Sequence, residues 1–534
     1  MRRVGRFALV FFEIGLLTVL IVATRCANYQ DVFVAGNIYF VDADCYSRMT
    51  RAQMVRANPG LIVRYHAFEN FPQGTTPHTT APLDYLIVAL SFALNPFTTH
   101  ALDFAGAFVS PLLALLAGWF LWWWSRRMRF RYRWAMLILY AISPILVHGT
   151  ELGRPDHQSL LILLVAVAIC AEWTSQTLEQ GSAVRAWWLT SAGAWSVAIW
   201  VSAYEPLILF VIVTSTALVM NHRAVFGSDR YVGWIVFAGI IAIALAMERR
   251  VPSFPIFHTD PELKNWERTI GELAHVSPIN RVWLSWCGYL LLITPVLIWV
   301  SIKEFKNGET SARRAGFHRA VALYVLLVVT FFLTVWQARW GYFFVLILAL
   351  ALPVLLTPIK SGGAIWIAFA LSVSPILQDW DARRWPSEAQ LTTRVEKRIE
   401  SAQIRDLAVS LRSSEVHPFL APWWLSPSIA YWSGQPGVAG SSHESLEGIA
   451  DSARFFLSEN LQEEREILAK RDVVWVFAYD SERVAKNSAT ILNQRIPRQP
   501  ICRVLDRTPT QAPAFLVFVA QNPTCKLYRV NAER

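Results

Sequence analysis

The chain has 534 residues, is 54% hydrophobic with a mean hydropathy of +0.35, and carries 24 tryptophans. That composition excludes a soluble globular protein and fits a membrane protein with several spans. The formal charge of +10 does not point to nucleic acid. The arginines cluster in short loops between apolar runs, where they report membrane orientation.

The first apolar run, 7–24, follows Arg2, Arg3 and Arg6, and no small-residue cleavage site follows it. It reads as a retained signal anchor with a cytoplasmic N-terminus. Ten more runs lie near 105–124, 133–149, 158–174, 186–201, 206–221, 231–248, 283–302, 318–336, 341–357 and 363–377. Each is about the length needed to cross a hydrocarbon core of ~30 Å. Basic residues fall in alternate loops: Arg126 to Arg133, Arg223 and Arg230, Lys303 to Arg319, and Lys360. Placing these inside leaves 25–104, 150–157, 201–205, 249–282, the turn Gln337–Trp340 and everything from Gln378 outside. Pro82–Phe97 is also apolar, but counting it as a span would invert every later loop. It reads as an external helix at the interface, with Asp84 in its first turn.

The division is therefore a membrane domain, 1–377, with long external loops at 25–104 and 249–282, and an external mixed α/β domain, 378–534. In the second, Glu396–Leu411 and Ile449–Lys470 read as amphipathic helices, and Val473–Phe477 and Phe515–Val519 as buried strands. Cys26 with Cys45, and Cys502 with Cys525, fall outside, where pairing and free thiols are both permitted.

Three acidic motifs share the outer side although side played no part in finding them. Asp42-Ala43-Asp44 offers paired carboxylates, which suit a hard divalent cation. Asp156-His157-Gln158 follows Gly153-Arg154-Pro155, with Asp156 at a helix N-terminus. Thr269-Ile270-Gly271-Glu272 lies in a loop long enough to act as a lid. Arg339, in the turn Gln337–Trp340, stands against the positive-inside trend and is placed to bind a phosphate bidentately. Tyr204 and Glu205 are candidates for the same cleft. Trp423-Trp424 marks a binding surface or a core.

Together these loops resemble the catalytic subunit of oligosaccharyltransferase, a GT-C glycosyltransferase. Asp42, followed six residues later by Arg48, looks like that family's first acidic motif. Phe71-Pro72-Gln73-Gly74 with Pro82 looks like its aromatic-Pro-x-Gly stretch. Pro144, Gly153 and Asp156 match the approach to its second motif, and Asp156-His157-Gln158 is similar to the archaeal Asp-His-His form. Thr269 to Glu272 matches Thr-Ile-x-Glu, and Arg339-Trp340 resembles the Arg-aromatic pair that contacts the donor. Three features depart from the pattern: Gln158 at the third position of the second motif, Leu425 where Trp-Trp-Asp has its acid, and eleven spans where thirteen are usual.

The resemblance implies a metal-dependent, inverting transfer of a glycan from a polyprenyl-(di)phosphate donor to a protein asparagine outside the cytoplasmic membrane. Asp42 and Asp156 would hold Mn²⁺ or Mg²⁺, with Gln158 or His157 assisting and Glu272 beside them. Arg339 would clamp the donor phosphate. Glu272 would orient the nucleophile, and Thr269, Trp423 and Trp424 would receive the acceptor. The chain's own external domain suggests a single-subunit enzyme in the cytoplasmic membrane. One alternative is a GT-C enzyme moving a sugar from a polyprenyl phosphate to a lipid or glycan, which Leu425 favours and Glu272 opposes. Another is a transporter, which would place its ionisable residues within spans near the midplane.

Overall fold

The structure, a computed structural model, describes residues 2–177, 182–250, 261–306 and 311–531. Residues 251–260 of the expected lid loop lie outside the described residues. All eleven apolar runs are helical. Among the described residues, 6 helices are long and apolar enough to cross a membrane, or 7 if the bent pair Gly362–Ser372 and Ser374–Arg384 is one span. The helix Gly341–Leu356 is buried at every residue and forms the axis of the bundle. Its sequence is apolar on all sides, as a helix surrounded by other helices must be. Lipid-facing side chains such as Phe11, Val219, Trp299 and Ile367 lie on outer helices.

The run 133–149 is broken into Arg133–Ile142 and Pro144–His148. Pro144 has no N–H, so the carbonyl of Tyr140 loses its helical donor. Arg25, fully buried at the end of the first helix, replaces it. Its guanidinium donates to Tyr140 O at 2.8 Å and Thr150 Oγ1 at 3.2 Å. This cross-brace carries the chain to the second acidic motif. Leu152 N–H then donates to Arg25 O at 2.9 Å, and Gly153 N–H to Ala107 O at 2.9 Å.

The Pro82–Phe97 run forms the helix Ala81–Leu94, which packs on Ala101–Arg127 and Ala43–Ala57. Asp84 is in its first turn, as expected. It is also a buried anchor, 2.9 Å from Arg48 and 3.9 Å from Arg51.

Beyond the bundle, Glu388–Val409 starts at a capping box between Ser387 and Gln390. The strands are a small hairpin, β1 (Phe33–Val34) and β2 (Asn37–Ile38), and a four-stranded sheet of β3 (Phe419–Leu420), β4 (Trp475–Tyr479), β5 (Leu516–Gln521) and β6 (Cys525–Val530). The sheet order is β3-β4-β6-β5, with β3 parallel to β4 and the other pairs antiparallel. The expectation of a buried strand at Phe515–Val519 fails. That strand is an edge, disturbed by an irregularity between Phe518 and Ala520, and Val517, Phe518 and Val519 are exposed. The stretch 449–470 is two helices, because Asn460 caps a new one at Leu461–Lys470 by accepting from Gln462 N–H. All six cysteines are free.

Glu464 on that second helix is buried, and its Oε2 has no hydrogen-bond partner. Burial, with Glu463 adding to it, pushes its carboxyl up to about 7. A raised carboxyl favours the folded state below its unfolded pKa and loses that advantage as pH rises toward 7. Glu464→Gln is therefore expected to stabilise the chain at pH 8 by roughly 1–3 kcal/mol. It should also flatten the pH dependence of thermal unfolding between pH 4.5 and about 7.

Candidate active site

Gly153 sets the distance between the first two motifs. It sits at φ +76°, and a Cβ there would come within 2.7 Å of Val32 and 3.2 Å of the Tyr39 carbonyl. That space lets Val41 N–H donate to Gly153 O at 3.0 Å. Asp42 is thereby brought against Arg154, Oδ2 to Nη1 2.9 Å. The other oxygen of Asp42 caps the helix Ala43–Ala57 through Cys45 N–H at 3.0 Å. Asp44 follows in the first turn, where a carboxylate meets the positive end of the helix.

Asp156 caps the helix His157–Ser175. It accepts from His157 N–H at 2.7 Å and pairs with His157 Nδ1 at 2.6 Å. Burial opposes its charge, yet His157, Arg154 and Arg48 outweigh burial and hold it well below the usual carboxylate range. Asp44 goes the other way. Burial, then the carboxylates of Asp42 and Asp156, push it well above its ordinary value. Burial and two neighbouring carboxylates thus leave Asp44 in a cluster of acids. The cluster offers oxygen donors only, which fits a hard divalent cation.

Glu272 arrives from the polar loop ahead of the helix Val282–Cys287. Just upstream, the helix Pro261–Glu267 inserts Leu263 and Trp266 among Ala439, Ile449, Ala453 and Ile491 of the α/β domain. The loop is thus docked on that domain, and Glu272 hangs from it over the bundle. Burial raises the Glu272 carboxyl. Its Oε1 accepts from Tyr342 OH at 2.8 Å and lies 3.6 Å from Arg154. Arg154 also donates to His148 Nε2 at 3.0 Å, and His148 Nδ1 faces Tyr342 OH at 2.8 Å. An arginine has no acceptor, so His148 accepts at Nε2 and donates from Nδ1. That leaves the Tyr342 proton directed at Glu272.

Trp266→Ala would empty the docking pocket, at about 3–5 kcal/mol for a buried tryptophan. Faster proteolytic nicking near residue 266 is expected, with the bundle's thermal unfolding unchanged. Any reaction that depends on Glu272 should slow by up to about a hundredfold, the scale of a misplaced catalytic group.

A cavity of about 680 Å³ joins these pieces, lined among others by Asp42, Asp44, Arg154, Thr269, Glu272 and Arg339 below and Trp423, Trp424 and Leu425 above. Arg339 pairs with Glu205 at 2.5 Å and lies 5.6 Å over the Tyr204 ring. Trp423 packs on Trp266 and Trp424, and its N–H donates to Asn487 at 2.9 Å. Thr269 Oγ1 donates to Trp266 O at 2.7 Å, closing the turn below the docked helix. Asp156, His157 and Gln158 sit behind the cavity wall. The Gln158 amide turns to Glu205 Oε1 at 3.5 Å and His157 Nε2 at 3.4 Å, and its Oε1 is buried without a partner.

Sequence reasoning passed over His148 and Tyr342, and singled out Arg154 only as part of its motif. A histidine closing an apolar run four residues after Pro144 was a usable signal. Tyr342 had none, since a tyrosine at a span end is common.

No family model and no curated protein matches the sequence. Solved structures do match. An oligosaccharyltransferase of Archaeoglobus fulgidus, tethered to an acceptor peptide with an NVT sequon, aligns over 87% of this chain and 68% of its own, with TM-score 0.65 and 14% identity. The same enzyme in complex with Zn and sulfate aligns over 97% and 73%, with TM-score 0.61 and 13% identity. ArnT of Cupriavidus metallidurans, bound to undecaprenyl phosphate, aligns over 99% and 98%, with TM-score 0.56 and 14% identity. The chain has the GT-C fold. It is a multi-pass membrane protein whose C-terminal α/β domain roofs the loop-built cavity.

Proposed function

We propose that this GT-C protein is a glycosyltransferase. It would transfer a glycan from a polyprenyl-(di)phosphate donor to a protein asparagine outside the cytoplasmic membrane. One observation carries the reading: Asp42, Asp44, Glu272 and Arg339, from two external loops and a turn, line one cavity beneath Trp423 and Trp424, with Asp156 of another loop directly behind. The bound lipid phosphate and acceptor peptide of the structural neighbours support it.

Asp42, Asp44 and Asp156 would hold Mn²⁺ or Mg²⁺, which would offset charge developing on the departing phosphate. Arg339 binds a second face of that phosphate as Glu205 releases part of its hold. Glu272, directed by Tyr342, accepts a hydrogen bond from the nucleophile and aims it at the anomeric carbon. The new bond forms there as the bond to the phosphate oxygen breaks, inverting the configuration, and the nucleophile's proton passes to the ionised Glu272.

Leu425 supports a second reading. It lines the cavity where an acid would read the hydroxyl of a sequon. On that reading the acceptor is a lipid or a glycan and the donor a polyprenyl monophosphate. Purified protein with Mn²⁺ and a mixed polyprenyl-linked donor pool separates the two. Product on a sequon peptide, absent with a sequon-free peptide, supports asparagine transfer. Consumption of donor without peptide product, unchanged in Leu425→Asp, supports the lipid or glycan acceptor. No donor turnover at all would count against both.

A further inference from the structure

His78, His443 and Glu444 gather beside the carboxylate centre, and the reaction above uses none of them. His78 comes from the first external loop, and the other two from a 3₁₀ turn of the α/β domain, His443–Ser445. Their ligand atoms all lie within 4.8 Å of one another. His78 Nδ1 is 2.9 Å from Glu444 Oε1, and His443 Nε2 is 3.5 Å from the same oxygen. Ligands bound to zinc at about 2.0–2.1 Å with tetrahedral angles lie roughly 3.3 Å apart. These two spacings bracket that value.

The surroundings also call for a cation. The Glu444 side chain is 10% exposed, and its Oε2 is buried with no hydrogen-bond partner. The His78 side chain keeps 34% exposure, which leaves one side of the cluster open. A histidine–glutamate ion pair alone would satisfy Oε1 and leave Oε2 unserved.

We propose that His78, His443 and Glu444 form a second divalent-cation site, of the Zn²⁺ class, with three protein ligands and one open position. Its two nitrogens and one carboxylate select a borderline ion, whereas the all-oxygen set of Asp42, Asp44 and Asp156 selects a hard one. The site ties the first external loop to the α/β domain. The His78 ring also lies 6.4 Å from the His157 ring, edge to face, so the tie ends against the second acidic motif. A metal here holds the roof of the cavity to its floor at a point independent of Trp266.

The test uses the full chain in detergent, stripped with chelator, loaded with Zn²⁺ and passed through gel filtration. Wild type is expected to retain zinc at one ion per chain. The Asp42→Asn/Asp156→Asn variant should retain it as well, while His443→Gln and His78→Gln should lose it. Zinc should raise the thermal unfolding temperature of the first two proteins and not of the last two. Should a histidine variant fold poorly, Co²⁺ added to wild type gives the same answer without a variant. The intense visible band of a four-coordinate, nitrogen-ligated ion is expected, and only a pale six-coordinate spectrum would overturn the site. Zinc retained equally by His443→Gln, zinc lost only with Asp42 and Asp156, or no zinc retained by wild type would each overturn it. The readout is bound metal, so it succeeds or fails whatever the glycan acceptor proves to be.

Discussion

Glu272→Gln is expected to slow glycan transfer by about three orders of magnitude, the scale of removing a positioned base or charge from a reaction centre. The side chain is isosteric and still accepts from Tyr342, so the fold and donor binding should survive. The loss should therefore fall on kcat rather than on KM. The pH profile gives a second check. Burial raises the Glu272 carboxyl above the usual glutamate range. Wild-type activity, which needs the ionised form, should fall as pH drops through that raised value, well before an ordinary surface glutamate would titrate. The residual activity of the Gln variant should lack this acid limb. A variant with wild-type kcat, measured by single-turnover transfer with saturating donor, would remove Glu272 from the mechanism.

Arg339→Ala is expected to harm two things at once, and a partner variant separates them. Glu205 is fully buried beneath Arg339. Removing the arginine alone strands a buried carboxylate, at about 3–5 kcal/mol. The double variant Arg339→Met/Glu205→Leu removes both charges and should recover most of that stability, because apolar pairs often replace buried ion pairs without loss. It should recover none of the activity if Arg339 holds the donor phosphate. Thermal unfolding and donor turnover, measured on the single and double variants, read the two roles apart. Recovery of activity along with stability would make Arg339 a structural residue only.

The fold was largely legible in the sequence because the bilayer leaves few options. Apolar runs become helices, and basic loops choose sides. The motifs were legible because they are polar residues in places where a membrane protein has little use for them. What stayed hidden depends on contacts between distant segments. Asp84 read as a first-turn carboxylate, yet it is the buried partner of Arg48 and Arg51. Phe515–Val519 read as a buried strand because its composition is that of one, while its place at a sheet edge depends on β6. The stretch Pro261–Glu267 read only as part of a lid-length loop, and it in fact plugs the α/β domain through Leu263 and Trp266. The Arg154–His148–Tyr342 relay joins two spans and a loop, and no local pattern announces it.

The cavity is assembled from residues 42, 154, 272, 339 and 423, which are spread over most of the chain. A ribosome delivers them in that order, so birth order becomes a safeguard. The carboxylates of the first two motifs are made early. The surface that docks Trp266 is among the last parts made, since it includes Ile449, Ala453 and Ile491. Until it folds, Glu272 has no fixed position and the cavity has no roof. A chain interrupted at residue 400 would lack both the surface that docks Trp266 and the Trp423–Trp424 roof. The cavity is thus completed in a single late step, when the C-terminal domain closes over a floor that was laid hundreds of residues earlier.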